Sequence, residues 1–193
     1  PSLLVDCMRQ AGIPDGVFNF VTGPGSTLGE ALINHPDVAG ITFTGSYEVG
    51  MNIYCNFGHS RYVRPTILEL GGKNPVLVSR HADIEDAALG SVRSAFGLQG
   101  QKCSACSRVY IEEPVYEAVV ERMVALTNKL AVGDPTARQT YMGPVINKKS
   151  YADYQAFVAD LSAAGKVLVG GKTLTEGALS KGYFCAPTIV ADV

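Results

Sequence analysis

Apolar residues along this chain recur with two periods, and the alternation between them lays out the elements. Leu3, Leu4, Cys7, Met8 and Ala11 share one face of a predicted helix that Gly12 stops. Val17-Phe18-Asn19-Phe20-Val21 reads as a buried strand running into Gly23-Pro24-Gly25, and a helix over Ser26 to Asn34 ends at His35-Pro36. Ile41-Thr42-Phe43-Thr44 predicts a second strand that turns at Gly45; a helix over Glu48 to Asn56 and a third strand at Thr66-Ile67-Leu68 follow. Strands alternating with helices point to a parallel α/β sheet. This unit opens on a helix with no strand before it to cover, and three strands are few for a doubly wound sheet. The expectation is that the N-terminal part of the domain lies outside the chain.

Beyond Gly71-Gly72 the texture changes. Pro75-Val76-Leu77-Val78 predicts a strand, and Asp83 an N-cap for a helix that turns Ile84, Ala88, Val92 and Ala95 inward until Gly97 and Gly100 end it. Val109 and Ile111 alternate as in a strand. Val119, Val120, Met123, Leu126 and Leu130 mark an amphipathic helix over Val115 to Leu130. A further helix near Tyr151 to Ala163 precedes a strand at Lys166-Val167-Leu168-Val169. The division is placed at Gly71, giving one α/β domain over 1–71 and a second over 72–193.

Composition narrows the class. With 47% hydrophobic and 18% charged residues the 193-residue chain has a globular balance, not a disordered one. Its net charge of −2 and lack of a long basic run give no footprint for nucleic acid. Its apolar stretches are too short and interrupted for a membrane-spanning helix, and its first residues lack the Met and basic region of a signal peptide. Five cysteines, an odd number at wide spacing apart from one C-x-x-C, favour a reducing compartment over a disulfide scaffold. Cytoplasm, or the mitochondrial matrix in a eukaryote, is expected.

Four segments carry candidate chemistry. Gly23, Gly25 and Gly29 follow a strand and open a helix, which lets backbone N–H groups approach an anion or simply makes a tight turn. Phe43-Thr44-Gly45-Ser46-Tyr47-Glu48-Val49-Gly50 repeats that logic one crossover later, so Gly45 and Ser46 are candidate phosphate donors; Gly50 allows close packing of another group. Leu68-Glu69-Leu70-Gly71-Gly72-Lys73 sets a carboxylate among leucines, where lost solvation raises a pKa and suits a general base, unless Glu69 pairs with a cation such as Lys73. Gly100-Gln101-Lys102-Cys103-Ser104-Ala105-Cys106-Ser107-Arg108 places a cysteine after a glycine break and beside a lysine, where a thiolate is favoured. Cys103 and Cys106 also admit a dithiol redox pair, part of a zinc site, or two buried structural thiols. His35, His59 and His81 are too scattered to complete a metal site, and no metal is expected.

In order and near spacing, Phe43 to Gly50, Leu68 to Lys73 and Gly100 to Cys103 with Arg108 resemble the aldehyde dehydrogenase superfamily. Val132-Gly133-Asp134-Pro135, Met142-Gly143-Pro144-Val145 and Gly182-Tyr183-Phe184 with Pro187-Thr188 resemble its later landmarks, so the resemblance covers nearly the whole chain. It implies the C-terminal part of a Rossmann-like NAD-binding domain followed by most of a catalytic α/β domain. It also implies Cys103 as the nucleophile, with its N–H as half of an oxyanion hole, and Glu69 as the base that activates water. NAD, with NADP as the alternative, would be held by Gly25, Gly29, Phe43, Thr44, Gly45, Ser46, Leu70 and Gly71. Cys106 has no role in this pattern and is read as structural.

Ala95 to Arg108 is similar to the branch that oxidises glutamate γ-semialdehyde, the 1-pyrroline-5-carboxylate dehydrogenases of proline catabolism; another semialdehyde or a general aldehyde is the alternative. That likeness implies that Lys102 and Ser104 hold a substrate carboxylate and that Phe96 flanks its aliphatic chain. Tyr47 departs from the smaller residue many members carry. The family's oxyanion-hole Asn and adenosine-ribose lysine belong upstream of Pro1; its nicotinamide-ribose glutamate, substrate loop and oligomerisation strand belong past Val193. The expectation is therefore an internal piece of a homo-oligomeric enzyme, inactive by itself.

Overall fold

Residues 2–58 and 62–193 are described by the computed structural model; Pro1 and His59 to Arg61 lie outside the described residues. The chain divides into two compact units, Pro1–Leu70 and Gly71–Val193.

In the first unit the helical face that begins at Leu3 forms α1 (Ser2–Gln10), and Gly12, at φ +84°, turns the chain out of it. One wide helical turn at Gly25–Gly29 runs into α2 (Glu30–Asn34). Strand β1 (Ile41–Gly45), helix α3 (Tyr47–Phe57) and strand β2 (Thr66–Leu70) then make a parallel crossover unit with Phe43 beside Leu68 and Gly45 beside Leu70. Ile33, Ile53 and Phe57 are its buried core, with Val38, Ile41, Phe43 and Leu68 packed against them. Gly50 has no room for a side chain, because a methyl group there would enter Leu70. Close packing of α3 on β2, expected from the glycine, is found.

The strand expected at Val17 to Val21 is absent. Val17 is 70% and Val21 62% exposed, and the local hydrogen bonds are those of turns, Val17 N–H to the Pro14 carbonyl and Asn19 Nδ2 to the Gly16 carbonyl. An apolar run becomes a strand only when a neighbour accepts its ladder of hydrogen bonds. Among the described residues β1 and β2 pair only with each other. The unit therefore has two strands where three were expected.

Arg64 joins the ends of the helical segments. Its guanidinium donates to the carbonyls of Phe57 (2.8 and 3.1 Å), His35 (3.0 Å), Val38 (3.2 Å) and Ile33 (3.4 Å), and it lies 3.7 Å from the centre of the Phe57 ring. Carbonyls at the C-termini of α2 and α3 have no partners within their own helices and carry partial negative charge, so a planar cation with five donors suits them.

In the second unit, β3 (Asn74–Val78) and β4 (Cys106–Ile111) are parallel and joined through α4 (Ile84–Phe96). Asp83 caps α4 as expected, its side chain accepting from Asp86 N–H at 2.9 Å. Helix α5 (Glu113–Thr127) packs on α4, and Val78, Ala88, Val92, Val119 and Met123 form the buried core. Helix α6 (Lys148–Ala164) precedes an antiparallel pair, β5 (Lys166–Val169) and β6 (Ile189–Ala191). Tyr154 on α6 fixes this end, its hydroxyl lying 2.7 Å from Thr188 Oγ1, 2.8 Å from the Ala186 carbonyl and 3.2 Å from that of Lys172.

Replacing Arg64 with Met should destabilise the first unit by about 2–4 kcal/mol, the cost of leaving several partly buried carbonyls without donors. Urea unfolding followed by proteolysis of residues 2–70 measures it; an unchanged midpoint would show that water replaces the guanidinium.

Candidate active site

The segment between α4 and β4 is built around an unusual backbone. After Phe96 the chain leaves the helix at Gly97, and Leu98 (φ 53°), Gln99 (φ 57°) and Gly100 (φ 70°) lie in succession in the left-handed region. Glycine is required at position 100 on two counts, since a methyl group there would also come within 2.9 Å of the Ala95 carbonyl oxygen. Gln101 N–H then donates to the Leu98 carbonyl at 3.0 Å, and Ala105 N–H to the Lys102 carbonyl at 3.2 Å. The second bond closes a turn with Cys103 and Ser104 at its two corners.

Both corner residues are exposed, whereas Ala105 and Cys106 are buried. The Cys103 N–H has no acceptor among the described residues. The next regular element is strand β4, so no helix N-terminus contributes positive potential to Cys103, and Lys102 is its adjacent cation. Cys106 N–H donates to Ser94 Oγ at 3.1 Å and its thiol to the Arg108 carbonyl at 3.3 Å; burial pushes this thiol's pKa up. The C-x-x-C is thus one exposed and one buried free thiol. Among the described residues no group of three His, Cys, Asp or Glu side chains could hold a metal ion, and His59 lies outside them.

Lys102 and Tyr141 converge over Gly97. A methyl group on Gly97 would lie 3.2 Å from Lys102 Nζ and 3.8 Å from the Tyr141 hydroxyl, so the missing side chain leaves space for both polar tips. Tyr141 is a neighbour that the sequence does not announce. Phe96 packs against the core instead, and lines a cavity of about 200 Å³ with Gln99, Met142, Phe157 and Cys185 among its walls. The lining of that cavity does not include Lys102, Cys103 or Ser104. Gly72 passes beside the Lys102 to Ala105 turn: a methyl group on it would come within 2.7 Å of Asn74 Oδ1 and 3.7 Å of the Cys103 carbonyl oxygen. Lys73 Nζ sits 5.3 Å from the centre of the Phe157 ring.

In the first unit, Glu69 stands opposite Thr44 near the C-terminal end of β2. It is exposed, which corrects the expected loss of solvation. Successive residues of a strand face opposite sides, so Leu68 and Leu70 turn inward while Glu69 turns out, and its leucine neighbours do not cover it. Gly45 ends β1, where a methyl group would enter the Phe43 ring. Ser46 caps α3, its Oγ accepting from Val49 N–H at 3.3 Å. The hydroxyl hydrogen stays available for a phosphate oxygen at the start of an eleven-residue helix. Gly25 and Gly29 have nothing within 4 Å of where a side chain would begin, leaving space for a flat ligand; Gly71, in the second unit, is equally open. Gly45 and Ser46 thus lie at the carboxyl end of a parallel strand, the edge of an open α/β sheet where ligands bind.

The sequence profile of the aldehyde dehydrogenase family matches residues 2–193. The 1-pyrroline-5-carboxylate dehydrogenase of Bacillus subtilis (strain 168) is 46% identical over 193 residues, covering 98% of this chain and 37% of its own length. The 1-pyrroline-5-carboxylate dehydrogenase 2 of Halalkalibacterium halodurans is 44% identical over the same shares. Among solved structures, a Thermus 1-pyrroline-5-carboxylate dehydrogenase with bound NAD superposes with a TM-score of 0.90 at 37% identity, over 98% of this chain and 36% of that one. An aldehyde dehydrogenase from Bartonella henselae gives 0.91 at 33% identity, over 100% and 40%. The chain therefore spans little more than a third of the length of these relatives.

The thiols provide a direct check on this geometry. In the folded chain Cys7, Cys55 and Cys103 should alkylate with iodoacetamide, while Cys106 and Cys185 react only after denaturation. Burial pushes the Cys185 thiol from 9.0 up to about 11. The native state holds that proton more tightly than the unfolded one, so its contribution to stability is full below pH 9 and is lost as pH rises through 11. Peptide mass mapping decides: native labelling of Cys106 before Cys103 would contradict the turn described.

Proposed function

This chain belongs to the aldehyde dehydrogenase family, and from that premise we propose that it supplies the nucleophile and the water-activating base for NAD-dependent oxidation of an aldehyde to a carboxylic acid. The substrate proposed is L-glutamate γ-semialdehyde, the open form of 1-pyrroline-5-carboxylate. The observation that carries the proposal is the turn Lys102 to Ala105, which exposes Cys103 at a corner with its own N–H unengaged.

Attack by the Cys103 sulfur on the aldehyde carbon makes a carbon–sulfur bond and moves negative charge to the oxygen. The Cys103 N–H is placed in the same residue to donate to that oxygen, stabilising charge where it develops. NAD, when bound by the first unit's Gly25, Gly29 and Phe43 to Ser46 with Leu70, and by Gly71, supplies the acceptor for the hydride this adduct loses. A thioester on Cys103 remains. Glu69 takes a proton from the water that attacks it, releasing the acid and the thiol; its exposed side chain is open to solvent water. Residues 1–71 are assigned to the cofactor and 72–193 to the nucleophile.

Lys102 sets the substrate class. An ammonium beside the nucleophile favours an aldehyde with an anionic group at its far end, and Ser104, at the other corner of the turn, offers a hydroxyl to the same carboxylate. Family likeness supports this assignment: curated relatives at 42–46% identity carry the 1-pyrroline-5-carboxylate dehydrogenase name.

In the intact gene product, Cys103→Ala should abolish NADH formation from glutamate γ-semialdehyde. Glu69→Gln should release one equivalent of NADH in a burst and then stall. Lys102→Met should raise KM for the anionic aldehyde about tenfold, about 1.4 kcal/mol of binding, and leave a neutral aldehyde of equal length unaffected. Full turnover by Cys103→Ala would overturn the proposal; equal losses on both aldehydes for Lys102→Met would remove only the substrate assignment.

A further inference from the structure

The turn that carries Cys103 is tied down at both ends by side chains from the second unit. On its C-terminal side, Ser94 Oγ on α4 accepts from Cys106 N–H at 3.1 Å. On its N-terminal side, Gln101 Oε1 accepts from Ile146 N–H at 3.0 Å, a bond spanning 45 residues. Ile146 immediately precedes Asn147, whose side chain caps α6 by accepting from Ser150 N–H at 2.8 Å. Gln101 thus joins the nucleophile turn to the start of a seventeen-residue helix. Gln99 makes a parallel tie. With its amide oriented to satisfy both neighbours, its oxygen accepts from Gly143 N–H at 2.7 Å and its nitrogen donates to the Leu98 carbonyl at 3.2 Å.

Resting on the assignment of Cys103 as nucleophile, we infer that Gln101 is a positioning residue for that sulfur, with Gln99 securing the left-handed segment before it. The magnitudes separate positioning from bulk stability. Both Gln101 and Ile146 are exposed, and an exposed hydrogen bond contributes only about 1 kcal/mol to folding. Oriented attack is far more sensitive, since a misplacement of about 1 Å lowers the rate about 100-fold. One residue separates Gln101 from Cys103, and the nearest side-chain tie on the other side of the turn is that of Ser94 to the Cys106 N–H. Without the Gln101 tie, the turn pivots about the left-handed segment at Leu98 to Gly100. Cys103 stays exposed and chemically competent but leaves the line of attack.

The test compares a reaction that needs orientation with one that does not, in the intact gene product. Gln101→Met removes the acceptor at nearly constant volume; Gln101→Glu keeps an oxygen for Ile146 N–H. For Gln101→Met, kcat/KM for the aldehyde should fall 10- to 100-fold while the rate of Cys103 alkylation by iodoacetamide stays within about twofold and Tm is nearly unchanged. Gln101→Glu should recover most of the lost kcat/KM. Parental kcat/KM in Gln101→Met, a parallel fall in alkylation and aldehyde turnover, or no recovery in Gln101→Glu would each overturn the inference. Failure here with an inactive Cys103→Ala leaves the nucleophile assignment standing; an active Cys103→Ala removes both.

Discussion

Leu98, Gln99 and Gly100 adopt left-handed backbone in succession, and the surroundings of Cys103 follow from that constraint. Glycine takes this conformation freely, but leucine and glutamine each cost about 1–3 kcal/mol to hold there. The segment persists because specific groups accept and donate around it: the Gln101 N–H to the Leu98 carbonyl, the Gln99 amide to Gly143 and Leu98, and the Gln101 oxygen to Ile146. With α4 ended at Phe96, these bonds hold the kinked segment that sends the chain into the Lys102 to Ala105 turn, from which β4 runs parallel to β3. Cys103 is exposed because it occupies a corner of that turn, and Cys106 is buried because it begins the strand.

The first unit shows a related economy of space at the carboxyl ends of its strands. Phe43 folds its ring onto Gly45, and Leu70 fills the position a side chain on Gly50 would need. Both glycines are therefore demanded by packing whether or not a ligand is present. What they leave is a short turn from β1 into α3, with Ser46 capping the helix and its hydroxyl hydrogen uncommitted. Arg64 holds the opposite ends of the helical segments by meeting carbonyls of Ile33, His35, Val38 and Phe57.

Elements whose signals are local were legible in the sequence. The Asp83 cap, the inward face of α4 and the strands at Ile41, Thr66 and Pro75 depend on residues a few positions apart, and the structure shows them. Val17 to Val21 carries the same apolar signal but has no ladder partner, a property of the fold and not of the segment. The leucines around Glu69 misled for a related reason: adjacent strand residues face opposite ways, so nearness in sequence did not mean burial. Within the candidate site, the glycine break and the lysine before Cys103 were visible. Residue type and spacing alone could not separate an exposed Cys103 from a buried Cys106, although the family resemblance read Cys106 as structural. Positive φ at Leu98 and Gln99 has no sequence signature, and the tie from Gln101 to Ile146 crosses 45 residues. The only clue to it was the pair of glutamines flanking Gly100, which read as solvent-facing amides until their partners are seen.

The central claim is that Cys103, and not its neighbour Cys106, forms the covalent bond to substrate. Its most direct test is to quench the intact gene product in acid during turnover with glutamate γ-semialdehyde and NAD, then map the acyl adduct by peptide mass spectrometry. The account predicts a glutamyl thioester on the peptide containing Cys103, with fragment ions placing the added mass on that residue. An adduct on Cys106, or an acid-stable adduct on a different residue, would contradict it.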